Sequence, residues 1–450
     1  MRIGIVPTVN TAFGGVYQYS LTMLHALEAW RSDGCEDEFV VFAPNVSHPA
    51  LVSTTGHGWT LKPLMRPSLP QRALDGLRRV VGEGPHREAW RWLHREAWRW
   101  LRRSRSLRWD KTRLHDPEVV KSRPDMKCWL HCCGIDLMLY PTPSALSFET
   151  GLPYVMAIHD LQHRLQPEFP EVSANGEWER REYYFRNGAR YATLLLADSE
   201  VGKEDILNFY GPYGVTPDRV KVLPFIPACY LALDVPESER QRVRAMYSLP
   251  ERYMFYPAQF WPHKNHSRIV QALGLLKQAH QLKIPVVFCG SYDGEIREPT
   301  FREVMMFSSQ LGLEGEIRYL GYAPDEDMSG LYAGAAALVM PTFFGPTNIP
   351  VLEAWAFGCP VLTSDIRGIR EQVGDAALLV DPTSVQAIAD GIHQLWTDRE
   401  LGRTLSDLGR QRLSAYTPED YLRRLIEILE EGKERVRSEK PPHAKSVSSM

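Results

Sequence analysis

The chain has 450 residues, 44% of them hydrophobic and 24% charged, with a net charge of −3. That length exceeds one ordinary core and predicts two domains of a soluble globular protein. The near-neutral balance argues against a nucleic-acid partner, and no run of about 18 apolar residues offers a membrane span.

The start, MRIGIVPTVN, enters a strand without a charged-then-apolar leader, which predicts a cytoplasmic protein. Further strand-like apolar runs occupy 38–44, 137–142, 152–160, 192–199 and 219–225 in the first half. In the second half they occupy 252–259, 284–291, 317–323, 337–342, 359–365 and 376–382. Short continuous apolar strands between helical stretches mark a parallel sheet buried on both faces. The β-then-α rhythm occurs twice, which predicts an α/β chain of two doubly wound Rossmann-like domains facing across a cleft. The expected domains are 1–235 and 236–415, joined near 232–250 where DVPESERQ is polar. A helix over 416–434 follows, capped by Thr417 with Pro418 in its first turn and Tyr421, Leu422, Leu425, Ile426 and Leu429 on its apolar face. Beyond Gly432 the chain turns charged and polar, and 435–450 is expected to be disordered.

Two stretches depart from this rhythm. The octapeptide HREAWRWL occurs in tandem at 86–93 and 94–101, within an insertion at about 72–115. From His86 to Arg113 nine arginines and one lysine face three acids, and Trp90, Leu93, Ala97 and Trp100 share one helical stripe. The pattern fits either peripheral contact with a membrane or an anionic acceptor, or a solvated helix. The segment CWLHCC (Cys128–Cys133) has no second ligand pair at zinc-site spacing. With Cys35, Cys229, Cys289 and Cys359 the cysteines number seven at irregular spacing, which speaks against a disulfide framework.

The chemistry-bearing motifs each follow a predicted strand, where ligands of doubly wound sheets bind. FGGVYQYS (Phe13–Ser20) places Gly14 and Gly15 at a helix start, allowing close backbone approach to an anion. It is not GxGxxG, so a nicotinamide cofactor is not inferred. YVMAIHDLQH puts His159 and Asp160 at a strand end, as a structural pair or as a contact for a substrate hydroxyl, with His163 a weaker candidate. YPAQFWPHKN brings Lys264 to the start of a helix, either solvated or set against a bound anion such as a diphosphate. FFGPTNIPVLEAWAF offers the backbone amides of Thr347, Asn348 and Ile349 in a turn, then Glu353 one turn into an apolar helix. A carboxylate buried there needs hydrogen-bond donors, and vicinal ribose hydroxyls would serve.

These motifs in this order resemble the retaining nucleotide-sugar glycosyltransferases of family 4, which have the GT-B fold. The similarity runs from Arg2 to about residue 430. It is strongest over 253–382, through QFWPHKN, VVFCGS, YLGYAPDEDMSGLYAGAAALVMPT, VLEAWAFGCPVLTSD and GDAALLVDP. It implies that Gly14 and Gly15 line the donor diphosphate, that Lys264 holds it as a leaving group, and that Glu353 binds the ribose. It further implies that His159 contacts the transferred sugar, that amides near Asn348 and Ile349 meet sugar or phosphate, and that Tyr319–Tyr322 flanks the base. The last helix would cross back onto the first domain. Two positions depart from the family pattern. Its usual first glutamate falls on Gly345 and its usual phosphate arginine on Gln259. Either the chain is a degenerate copy, or FGPTNIP is a working variant in which Asn348 and backbone amides meet the sugar. The variant is preferred, because Lys264, Glu353, His159 and the glycines persist together.

The implied activity is transfer of a sugar, with mannose favoured, from a nucleotide diphosphate donor to a saccharide or lipid-linked acceptor in polysaccharide or glycolipid assembly. The motifs that carry Gly14, His159, Lys264 and Glu353 contain no Asp-x-Asp cluster, and neither a metal nor a cofactor is expected. A nucleotide-sugar epimerase of the same architecture and a non-catalytic nucleotide-sugar-binding relic are the alternatives.

Overall fold

The computed structural model describes residues 1–55, 58–64 and 115–439. The tandem octapeptide, the basic stretch 86–113 and residues 440–450 lie outside the described residues. Thirteen described strands form two sheets. The first has seven, β1 (Arg2–Ile5), β2 (Glu38–Ala43), β3 (Thr60–Pro63), β4 (Leu137–Tyr140), β5 (Tyr154–Ala157), β6 (Leu194–Ala197) and β7 (Val220–Val222). Their spatial order is β3-β2-β1-β4-β5-β6-β7. The second has six, β8 (Met254–Pro257), β9 (Val286–Cys289), β10 (Ile317–Tyr319), β11 (Ala337–Met340), β12 (Val361–Ser364) and β13 (Leu378–Val380), in the order β10-β9-β8-β11-β12-β13. Neighbouring strands pair in parallel in both sheets. Each predicted apolar run contains one strand, but the strands are shorter, and the runs continue past them into the loops. β3 was not expected: it is a short edge strand, TLKP, with a polar side chain and a terminal proline in place of an apolar run.

Both sheets reverse their order in the middle, between β1 and β4 in the first and between β8 and β11 in the second. Loops leaving adjacent strands at such a switch point run to opposite faces and open a crevice beyond the carboxyl ends. The two crevices face one another.

The first sheet is covered on both sides. One face packs on the helix Gly15–Ser32 and on the last helix, Pro418–Glu439, through Tyr421, Leu425, Ile428, Leu429 and Val436. The chain therefore returns from the second sheet to the first. Thr417 Oγ1 accepts from the amide of Asp420, whose carboxylate accepts in turn from the Thr417 amide, a reciprocal cap. The helix does not stop at residue 434 as expected but runs on to Glu439, so 435–439 are helical where disorder was expected. Gly432 serves close packing: a Cβ there would sit 3.5–3.6 Å from Val155, Leu194 and Leu137 of the sheet. The polar join near 232–250 is not wholly a linker either. Glu237–Met246 is a helix whose one buried side chain, Val243, seats against Gly330 of the helix Asp325–Gly334. No helix among the described residues is long and apolar enough to cross a membrane. CWLHCC lies at the end of the helix Pro124–Cys132, with Cys128 and Cys132 exposed and Cys133 buried.

Candidate active site

Loops that leave β1, β4, β5 and β6 of the first sheet and β8, β9, β10 and β11 of the second line a cleft of about 930 Å³, within the range of small-molecule sites. Gly14, Gly15, His159, Gln259, Lys264, Thr347, Asn348, Ile349 and Glu353 all line it.

The glycine pair begins the helix Gly15–Ser32. Gly14 has φ +52° and ψ −118°, a conformation that side chains avoid, and it sits at the cap position with no side-chain cap. A Cβ on Gly14 would lie 3.6 Å from Gln259 Nε2, and one on Gly15 3.9 Å from Ile349 Cδ1. The glycine turn of one sheet thus meets both loops of the other.

Lys264 ends the 3-10 turn Pro262–Lys264. The next residue, Asn265, takes the left-handed region at φ +62°, and its side-chain amide donates to the carbonyls of Pro341 at 2.8 Å and Pro382 at 2.9 Å. Those bonds pin the Lys264 turn to the loop after β11. Burial pushes the Lys264 ammonium down to about 8, while the nearby Asp160 and Glu171 carboxylates favour its charge. Among the described residues it makes no ion pair, so an anionic ligand would be its first close counter-charge.

His159 does not pair with Asp160. Its Nδ1 faces both carboxylate oxygens of Asp198 at 3.2 Å, and its Nε2 lies 2.8 Å from the carbonyl of Pro141. The cause is strand order: β5 lies beside β6, which brings the residues after Ala157 and Ala197 together. Burial disfavours the charged imidazolium, but Asp198 and the Pro141 carbonyl outweigh it and hold His159 above the usual imidazole range. Asp160 instead accepts from the amide of Gln162 and from Arg181. His163 is fully buried in a separate network on Glu182.

Glu353 sits in the helix Ile349–Ala356 with its side chain 1% exposed, more deeply than the sequence suggests. Tyr332 donates to Oε2 at 2.6 Å and Tyr230 to Oε1 at 3.2 Å. Burial raises the carboxyl to about 7 against those two hydrogen bonds. Tyr230 also accepts from Gln18 of the first domain at 2.9 Å, so Glu353 is linked across the cleft.

The turn before Glu353 differs from expectation in one respect. The Asn348 amide is not offered to the cleft: it donates to Gln372 Oε1 at 2.9 Å, and Gln372 Nε2 returns to the Asn348 carbonyl at 2.8 Å. The amides of Thr347 and Ile349 have no partner among the described residues, and Asn348 Nδ2 is buried without an acceptor. Gln259 is held from three sides. Its Nε2 donates to the Ala12 carbonyl at 2.8 Å, and its Oε1 accepts from Trp261 Nε1 at 3.0 Å and Arg297 Nη1 at 2.7 Å. Arg297, stacked over Trp261 at 4.7 Å, thus stands behind Gln259. In the 319–322 segment only Tyr322 faces the cleft; Tyr319 packs behind it on Phe260 and Phe301.

Sequence reasoning missed Asp198, Asn265, Tyr230, Tyr332 and Glu171. Asp198 carried a signal, because it is the next-to-last residue of the strand run ATLLLADS, as His159 is of YVMAIHD. Tyr230 and Glu171 lie in stretches without a motif, and Tyr332 lies within YLGYAPDEDMSGLYAGAAALVMPT, where nothing local directs it to Glu353.

The family model for glycosyl transferases group 1 matches residues 239–412, which take in all six strands of the second sheet together with Gln259, Lys264 and Glu353. The chain is 30% identical over 252 residues to O-antigen chain mannosyltransferase B of Escherichia coli, covering 53% of this chain and 63% of that protein. The chain spans less than two thirds of the length of the curated relatives it matches. Among solved structures, Anabaena Alr3699/HepE in complex with UDP and glucose superposes with a TM-score of 0.65 at 17% identity, covering 96% of this chain and 99% of that one. WaaG, a glycosyltransferase involved in lipopolysaccharide biosynthesis, superposes with a TM-score of 0.60 at 14% identity, over 95% and 99%. The chain has the GT-B fold, and the residues matched by the group 1 family model make up most of its second Rossmann-like unit.

Proposed function

We propose that the chain is a retaining glycosyltransferase that moves a sugar, mannose by preference, from a nucleotide diphosphate donor to an acceptor hydroxyl in polysaccharide or glycolipid assembly. The observation that carries this is the convergence of the Gly14–Gly15 helix start, the unpaired Lys264 and the buried Glu353 on one cleft between two switch points. The likeness to a mannosyltransferase supports mannose, and the match to the group 1 family model supports glycosyl transfer.

In this proposal the donor diphosphate lies between the glycine turn, Lys264 and the free amides of Thr347 and Ile349, with Gln259 adding an amide donor. The ribose hydroxyls donate to Glu353, displacing the longer Tyr230 contact. An acceptor hydroxyl attacks the anomeric carbon on the face from which the diphosphate departs. The bond from that carbon to the phosphate oxygen breaks, and the hydroxyl proton passes to the departing phosphate. The new charge falls on groups already oriented to receive it. His159 has both ring nitrogens engaged, so it presents a positive edge to the sugar and not a proton acceptor. Peripheral membrane contact through 86–113 belongs to this proposal as a sequence-based expectation.

The test is incubation of GDP-mannose or UDP-glucose with and without saccharide and lipid-linked acceptors, reading free nucleoside diphosphate. Acceptor-dependent release is expected. Conversion of the donor sugar without an acceptor would indicate an epimerase, and tight binding without turnover a relic.

Two substitutions follow from the geometry. Glu353→Gln should weaken nucleoside diphosphate binding by about 1.5–3 kcal/mol, the range for a hydrogen bond to a charged group. Because burial raises Glu353 to about 7, wild-type affinity should rise as pH passes upward through that value, and calorimetry of the mutant should lose that limb. A raised carboxyl gives its full stability below its unfolded value and loses it as pH rises through about 7, so the mutant should melt no lower than wild type at pH 8. Gly345→Glu should lower transfer. Gly345 has φ +129°, and a Cβ there would lie 2.9 Å from Asn348 Nδ2, so any side chain strains the loop. A rise in transfer rate would mark Gly345 as a lesion.

A further inference from the structure

A polyhydroxyl ligand needs hydrogen-bond acceptors as well as donors, and the loops just described offer mainly donors. Six carboxylates line the cleft: Asp160, Glu171, Glu177, Asp198, Asp325 and Glu353. Five are engaged. Asp160 and Glu177 hold Arg181, Asp198 holds His159, and Glu353 holds two tyrosines. Asp325 lies beside the hydroxyls of Tyr17 and Tyr322, which favour its charged form against burial.

Glu171 differs. It starts from the first domain, in the short helix Pro170–Ser173, and reaches across to the second. Its Oε1 accepts from the amide of His263 at 3.1 Å and lies 2.6 Å from His263 Nδ1. Burial keeps that imidazole neutral, so its Nδ1–H donates to the carboxylate. The side chain is 5% exposed, and its second oxygen, Oε2, is buried with no hydrogen-bond donor. It is the one cleft-lining carboxylate of which this is true among the described residues. A buried, undonated carboxylate oxygen costs free energy unless a ligand supplies the donor.

Its surroundings say which donor. His263 precedes Lys264, and its carbonyl accepts from the amide of Phe343 at 2.8 Å and from Thr342 Oγ1 at 3.1 Å. Gln166 and Phe169, from the same crossing segment, contact Phe343 through a 3.1 Å hydrogen bond and a 5.7 Å ring contact. Glu171 therefore stands between the lysine turn and the 343–348 loop, where Gly345 brings no side chain. We infer that Glu171 Oε2 is an acceptor for hydroxyls of the donor sugar, contributed across the cleft by the first domain. This rests on the donor reading above, and it makes sugar binding depend on closure of the two domains.

The test measures dissociation constants of GDP, GDP-mannose, UDP and UDP-glucose for the full chain, wild type and E171Q, by calorimetry without acceptor. E171Q should weaken the bound sugar nucleotide about 10- to 100-fold, the factor for loss of a charged hydrogen bond, and leave the matching bare diphosphate nearly unchanged. Equal weakening of both ligands overturns the inference, because a mere tie between domains through His263 acts on any occupant. An unchanged sugar nucleotide overturns it as well, even where transfer to an acceptor falls. If E171Q melts early, E171D, which keeps the charge but shortens the reach, should show the same split between the two ligands. A wild-type chain that binds bare diphosphates but no sugar nucleotide overturns the donor reading itself.

Discussion

Lys264→Ala is expected to lower turnover by about 10²- to 10³-fold while weakening the bare nucleoside far less, the usual cost of removing one preorganised group from a developing anion. Two observations make the effect large. Lys264 is the cation that lines the lysine turn without an ion-pair partner among the described residues, and Gln259 beside it contributes an amide and no charge. The pH profile gives a second check. Burial sets Lys264 near 8 and Glu353 near 7 in the free protein. With the lysine charged below its value and the glutamate charged above its own, kcat/KM should peak between the two and fall on either side. In Lys264→Ala the alkaline limb should vanish. A mutant with turnover near wild type would remove Lys264 from the mechanism.

The largest stability effect is expected at Glu182, outside the cleft. Its side chain is buried in the helix Glu177–Tyr191 and accepts from His163 at 2.9 Å, Tyr210 at 3.0 Å and Arg164 Nε at 2.6 Å. Arg164 Nη2 binds the second oxygen. Glu182→Ala leaves a guanidinium and two buried polar groups without their acceptor, and should cost about 3–5 kcal/mol in denaturant unfolding of the first domain. Burial works to raise this carboxyl, but His163 and Arg164 hold it below its ordinary value of 4.5. Its contribution is therefore complete above that pH and is lost as the pH falls through the lowered value. The gap between mutant and wild type should narrow in acid. A gap that stays constant with pH would mean that the loss is one of packing and not of charge.

The sequence by itself determined every described strand but β3, the two-domain α/β plan and most of the cleft. Strand runs such as YVMAIHD and ALVMPT are set by local apolar content, and in a parallel sheet the residues that follow a strand are delivered to the ligand side. Gly14, Lys264 and Glu353 are therefore legible from their places in the chain. So is the last helix, because its cap at Thr417 and its apolar stripe are both local.

The tertiary structure decided the partners. His159 meets Asp198 and not its neighbour Asp160 because β5 lies beside β6. Tyr230 and Tyr332, 123 and 21 residues from Glu353, close around that carboxylate, and Glu171 crosses 92 residues to His263. Gln372 takes the Asn348 amide that the turn alone would offer to a ligand. Gly432, after which the sequence turns charged, lies inside the helix, which needs it to lie close against β4, β5 and β6. Local periodicity records which face of an element is apolar. It carries no record of strand order or of which side chain arrives from the other domain, and those two properties set the charge, burial and hydrogen-bond partners on which this site depends.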